Sequence, residues 1–277
     1  MPTLWTFGDS FTAGHGMNGE IPEYKHADRN YKWTKLLSNE LEYNLNDLSQ
    51  NGIPNERILF KVLENLENFE QDDIVIIQSS TITRYEFPFY EKKKKLKEPT
   101  DGYMYFLNEM DSVTYDMVKD DYETYDGNTI SEMEYKASKD FMQYILPSTY
   151  YYRRNIVNLY NIAKYLYNKK CVKNIIFWNL ESIRTDSIPN KQPLVFNILD
   201  DYSKIMEFSL YDIEHTGIDT FDYGWLNIFR KLKLTIWDDS EKSIYDFHLS
   251  KKGHLWFTNV MLNKLNINKR IKPENII

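Results

Sequence analysis

Four branched aliphatic residues in a row, within Asp73-Ile74-Val75-Ile76-Ile77-Gln78, constrain the chain more than any other stretch. A strand with one wet face alternates polar and apolar residues, whereas a run without alternation belongs to a strand covered on both faces. Two strand–helix units precede it. Residues 3–8 read as a short strand ending at a glycine turn, and Tyr31 to Leu41 as a helix with Trp33, Leu36, Leu37 and Leu41 at helical spacing. Tyr43 to Ser49 reads as a second strand, and Asn55 to Phe69 as a helix with Ile58, Leu59, Val62, Leu63 and Leu66 on its apolar side. Strand, helix, strand, helix, strand within eighty residues predicts a parallel sheet with crossover helices.

The alternation resumes later in the chain. Tyr151 to Tyr167 carries a helix pattern, Asn174 to Leu180 the next strand, Leu232 to Trp237 a further one, and Ser250 to Asn266 the closing helix. The expectation is a three-layer α/β/α sandwich with a parallel sheet of about five strands. Between the third strand and the Tyr151 helix, residues 85–146 are rich in Tyr, Met, Asp and Lys and weakly periodic. A structureless loop of that length is unusual in a compact domain, so an inserted cap or helical subdomain is expected there. A second irregular stretch runs from Glu181 to Asp222. Residues 1–277 are read as one domain with this insertion.

Composition excludes several roles. The net charge of −7 disfavours nucleic-acid backbones as partners, and the basic run Lys92 to Lys95 with Lys97 reads as a solvated loop. Cys171 is the lone cysteine, which rules out an intramolecular disulfide and a cysteine-based zinc site. Asp111, Asp116, Asp120, Asp121 and Asp126 match no EF-hand spacing and read as a solvated acidic surface. No run reaches the ~20 apolar residues of a membrane span, and the N-terminal residues read as a strand rather than a signal peptide. A cytoplasmic or virion-associated protein is expected.

Two segments carry chemistry. In Phe7-Gly8-Asp9-Ser10-Phe11-Thr12-Ala13-Gly14, a serine follows a strand directly, where backbone N–H groups converge on developing negative charge. The same letters serve an ordinary N-cap. In Tyr245-Asp246-Phe247-His248-Leu249-Ser250-Lys251-Lys252-Gly253, an imidazole stands two residues after a carboxylate. A hydroxyl needs a base to become a nucleophile, and an acid beside that base orients it. A surface Asp–His pair at a helix start has the same appearance. His254, on the helix itself, reads as packing or capping. No Gly-x-Ser-x-Gly elbow, P-loop or dinucleotide fingerprint occurs.

Together, Gly8-Asp9-Ser10 with Thr12 and Gly14, and His248 with Leu-Ser-x-x-Gly behind it, make the chain resemble the SGNH (GDSL-like) hydrolase superfamily. The resemblance covers roughly residues 1–80 and 150–265. It implies a flavodoxin-like sandwich and a metal-independent, cofactor-free serine hydrolase acting on esters. Ser10 would be nucleophile and His248 base. Tyr245 occupies the family's usual acid position, so the acid role passes to Asp246, with Asp238 and Asp239 in reserve. The family's second block falls on Ser49 to Ile58, which puts Gly52 and Asn55 forward as oxyanion donors. A plain loop with an Asn N-cap explains the same residues. Its third block carries an Asn; this chain reads Gln78-Ser79-Ser80, so a hydroxyl of Ser79 or Ser80 is the candidate there.

The expected substrate is a small acyl ester, such as an O-acetyl group on a polysaccharide, and the aromatic run Tyr150 to Tyr152 suits either sugar stacking or helix packing. The rivals are a lipase or thioesterase for longer acyl chains, and a non-catalytic carbohydrate-binding or virion structural module that retains the fold.

Overall fold

The computed structural model describes residues 1–19, 21–80, 85–91, 103–106, 114–124, 128–140, 165, 172–179, 225–239, 246–265 and 267. From the N-terminus, β1 (Thr3–Phe7) leads through α1 (Ser10–Ala13) and α2 (Trp33–Leu41) to β2 (Asn44–Asp47). Then α3 (Asn55–Glu64) returns the chain to β3 (Asp73–Ser79). The insertion contributes β4 (Tyr85–Glu91), β5 (Tyr103–Phe106), α4 (Tyr115–Asp121), β6 (Tyr122–Thr124) and α5 (Glu132–Asp140). Last come β7 (Val172–Asn179), α6 (Trp225–Lys231), α7 (Ile236–Asp239) and α8 (Lys251–Lys264).

The central sheet has the order β2-β1-β3-β7, and every pairing in it is parallel. The apolar run of β3 explains itself here. Ile74 and Ile76 face a core built with Trp33, Leu36 and Leu37 of α2 and Phe257, Met261 and Leu262 of α8. Val75 and Ile77 face the opposite core, with Ile58 and Val62 of α3. The protein is therefore an α/β sandwich of three layers. The chain steps from β1 outward to β2 and then back across β1 to β3. With crossovers of one hand, those two steps place α2 and α3 on opposite faces. On the α2 side the rings of Trp33, Trp178 and Phe257 meet edge-on or tilted, at centroid separations of 4.8–6.3 Å. Such pairs add about 0.5–1.5 kcal/mol each beyond their buried area.

Three expectations change in detail. The described part of the sheet has four strands rather than about five. Leu232 to Trp237 does not join it. Lys233 takes a left-handed backbone, Thr235 makes a single antiparallel bridge with Leu249, and α7 begins at Ile236. The helix expected to reach Phe69 stops at Glu64, because the Asn65 side chain donates to the Lys61 carbonyl (2.8 Å) and the chain tightens into a 3₁₀ turn over Leu66–Asn68. The insertion is helical only in part: its described residues include an antiparallel sheet ordered β5-β4-β6. The helix expected over 151–167 and the irregular stretch 181–222 lie outside the described residues, apart from Tyr165, which is helical.

Buried His254 joins two helices, its Nδ1 accepting from the Trp33 N–H at 3.3 Å, while its Nε2 has no hydrogen-bond partner among the described residues. Burial, aided by the charges of Lys32 and His248, pushes its pKa down to about 3. An unfolded chain takes up this proton near pH 6.5 and the folded one does not, so the associated stability is present above pH 6.5 and is lost as pH falls toward 3. Urea midpoints should therefore drop more steeply between pH 7.5 and 4.5 for wild type than for His254→Gln; parallel curves would refute this.

Candidate active site

With the strand order β2-β1-β3-β7, the connections leave β1 and β3 in opposite directions, and a crevice opens beyond their carboxyl ends. Ser10 sits at this point, directly after β1, in the first turn of α1. Asp9 is the N-cap, its side chain accepting from the Phe11 N–H at 3.1 Å. Gly14 ends the turn in the left-handed conformation. Gly8 is required by a close approach: a Cβ there would lie 2.6 Å from both the Gln78 amide oxygen and the Thr12 hydroxyl.

The fully buried Asp9 carboxylate also ties this turn to the end of β3. It accepts hydrogen bonds from the Gln78 amide and from the Ser80 hydroxyl, the latter at 2.9 Å. Gln78 in turn accepts from the Thr12 N–H at 3.0 Å. Sequence reasoning passed over Gln78, although a glutamine closing an apolar run on a doubly covered strand must find buried polar partners.

His248 and Asp246 arrive from the other end of the chain on a loop clamped to Leu234 and the start of α7. Ile236 N–H donates to the His248 carbonyl (2.8 Å), Trp237 N–H to that of Asp246 (2.9 Å), and Ser250 N–H to that of Leu234 (2.9 Å). The Ser250 hydroxyl caps α8 by accepting from Gly253 N–H at 3.1 Å and donates to the Leu234 carbonyl. Gly253 lies so close to that carbonyl oxygen that a Cβ would sit 2.2 Å from it. The Leu-Ser-x-x-Gly pattern thus builds the platform under the imidazole, and Leu232 to Trp237 serves that platform instead of the sheet.

The structure brings the three chemical groups together. His248 Nε2 lies 2.6 Å from Ser10 Oγ, and its Nδ1 lies 2.7 Å from Asp246 Oδ1. The same carboxylate oxygen accepts the His248 backbone N–H at 2.8 Å, which fixes the short Asp-x-His spacing. Burial pushes the Asp246 carboxyl up, but the hydrogen bonds and charge of His248, joined by the charge of His15, outweigh it and hold the group below the usual carboxylate range. The imidazole is flanked by the rings of Phe11 (4.6 Å) and His15 (4.5 Å). His15 places Nε2 3.6 Å from Asp246 Oδ2, and its Nδ1 lies 3.2 Å from the Asn51 side-chain amide. It drew no attention in the sequence; its position one turn beyond Ser10 is the signal.

The remaining candidates divide. Gly52 lies in the turn before α3, next to Asn51, with φ +79°. Asn55 opens α3, but its amide grips the Ser80 backbone from both sides, with Ser80 N–H donating to Oδ1 (2.8 Å) and Nδ2 donating to Ser80 O (3.2 Å). The Ser80 hydroxyl is spent on Asp9, and Ser79 is buried at the end of β3. The reserve acids work elsewhere. Asp238 accepts from Thr235 N–H (3.2 Å) and its hydroxyl, while Asp239 accepts from the Tyr24 hydroxyl (2.9 Å).

No protein-family profile and no curated protein matches the chain. Solved structures similar to it include a member of the lipolytic protein G-D-S-L family from Veillonella parvula, at 11% identity over 97% of this chain and 100% of that one, with a TM-score of 0.40. Another is the psychrotrophic esterase EstA from Pseudoalteromonas sp., at 14% identity over 96% of this chain and 97% of that one, with a TM-score of 0.42. A third is the lipase/acylhydrolase from Enterococcus faecalis, at 11% identity over 98% and 100%, with a TM-score of 0.39.

Because three donors converge on the Asp9 carboxylate, exchanging one oxygen for an NH₂ group opposes a donor to a donor. Asp9→Asn should cost about 1–3 kcal/mol in a urea melt, whereas the same change at exposed Glu23 should leave the midpoint in place. An Asp9→Asn midpoint equal to wild type would contradict this role.

Proposed function

We propose that the chain is a serine esterase that cleaves small acyl esters, with Ser10 as nucleophile, His248 as general base and Asp246 as its orienting acid. The observation that carries this reading is the unbroken relay from Ser10 Oγ through both ring nitrogens of His248 to Asp246 Oδ1, at 2.6 and 2.7 Å. His248 Nε2 takes the hydroxyl proton as Oγ attacks the carbonyl carbon. Ionised Asp246 holds the other ring nitrogen and stabilises the imidazolium. That proton then passes to the departing alkoxide, and a water attacks the acyl-enzyme by the same route to release the acid.

The oxyanion would meet the backbone N–H of Ser10 at the start of α1 and those of the Gly52–Asn55 turn, with Ser79 as a further donor. Asn55 contributes by holding Ser80 and the β3 end in place rather than by pointing a side chain at the substrate. The relay supplies nucleophile, base and acid from side chains alone, so the reaction as drawn calls on no metal or cofactor.

An aromatic pair beside the acid favours an O-acetylated carbohydrate as the ester. Trp237, 41% exposed, has its N–H on the Asp246 carbonyl, and its ring lies 5.2 Å from that of Phe247. Flat faces of this kind suit the apolar side of a sugar ring.

With p-nitrophenyl acetate, Ser10→Ala should lose ~10⁴-fold or more in kcat, and a fluorophosphonate should label Ser10 in wild type only. Turnover that survives the substitution would end this reading. Trp237→Ala should raise KM for an acetylated oligosaccharide several-fold and leave p-nitrophenyl acetate unaffected; equal effects on both substrates would exclude the sugar platform.

A further inference from the structure

We propose that His15, Asp246 and His248 form a binding site for a divalent transition-metal ion of the Zn²⁺ type, and that filling it switches the Ser10–His248 pair off. The switching rests on the esterase reading; the site itself rests on geometry. One ligand atom from each of the three residues lies within 4.8 Å of the others. Tetrahedral zinc with bonds of about 2.0–2.1 Å separates its donors by about 3.3–3.4 Å. The 3.6 Å between His15 Nε2 and Asp246 Oδ2 is already close to that edge. Asp246 uses its two oxygens separately, Oδ1 toward His248 and Oδ2 toward His15.

The donor set selects the kind of ion. Two imidazoles and one carboxylate suit zinc, copper or nickel, whereas magnesium and calcium prefer oxygen ligands. Three protein ligands leave a coordination position for water. The side chains are 27%, 14% and 23% exposed for His15, Asp246 and His248, so a hydrated ion reaches them without unfolding. A metal-bound imidazole also needs a partner for its other nitrogen. The Asn51 amide stands at His15 Nδ1, and a half-turn of that amide presents its oxygen to an Nδ1–H.

Occupation and catalysis exclude one another through either nitrogen of His248. An ion on Nδ1 displaces the proton shared with Asp246, which leaves for solvent, and the orienting link is lost. An ion on Nε2 takes the lone pair that must accept the Ser10 proton.

The test is calorimetric titration of Zn²⁺ into the chelator-treated full chain, beside His15→Gln. Wild type should bind one ion, and Mg²⁺ in the same titration should give no heat. Losing an outer-shell partner costs ~10–100-fold in metal affinity, so His15→Gln should weaken binding at least ~10-fold. Diethyl pyrocarbonate footprinting of wild type gives a readout that no variant has to survive. Zn²⁺ should protect His15 and His248 and leave exposed His26 reactive. In the ester assay Zn²⁺ should suppress wild type reversibly, and His15→Gln should need correspondingly more of it. Absence of Zn²⁺ binding, unchanged affinity in His15→Gln, or equal modification of all three histidines would overturn the site. Binding that depends on His15 in a protein without ester turnover would uphold the site and sink the esterase reading instead.

Discussion

A single buried carboxylate holds the site in register. Asp9 has no exposure to solvent and must find donors for its oxygens inside the protein. It finds them on its own turn, at Phe11 N–H, and on the neighbouring strand, at Gln78 and Ser80. These bonds lock the direction in which the chain leaves β1 and thereby the direction of the Ser10 hydroxyl. Ser80 is itself gripped by Asn55, so α3, β3 and α1 form one polar knot at the carboxyl edge of the sheet. A network of this kind is stable only when every member is satisfied. Its few oxygens and nitrogens consequently dictate several residue identities that the apolar core leaves open.

The two sides of the site are built by different physics. On the Ser10 side, parallel strands and the buried knot position the hydroxyl. On the His248 side, three backbone hydrogen bonds between residues 234–237 and 246–250 do the positioning, reinforced by Ser250 and the close pass of Gly253. The first side is a sheet edge; the second is a loop held by Leu234 and the start of α7. Packing joins them, because the ring of Phe11 from the first side lies against the imidazole from the second.

Much of this was legible in the sequence, for reasons that can be named. The unalternating Ile74–Ile77 run marked a doubly covered strand, and the helical spacing of Trp33, Leu36 and Leu37 marked the helix that covers it. Ser10, His248 and Asp246, which the structure places side by side, stand out as candidates through local pattern, since a strand–turn–helix start and an Asp-x-His pair are each written in consecutive residues. What escaped was set by contacts between distant segments. Ser80 reads as a substitute for a missing donor and Gln78 as nothing in particular, yet the partner of both lies some seventy positions earlier, at Asp9. Leu232 to Trp237 has strand composition, but its pairing partner is the His248 loop and not the sheet. The antiparallel strands of the insertion carry too little alternation to be told from a helical cap.

The 238-residue separation between Ser10 and His248 has a consequence for the timing of synthesis. At ~5–20 residues per second the Ser10 side emerges well before the His248 loop has been translated. On the esterase reading, the hydroxyl has no base during that interval and is as unreactive as any other serine. On that reading the Ser10 hydroxyl would gain its base only when the late loop docks on residues 234–237, and a nascent chain would pass through synthesis chemically silent.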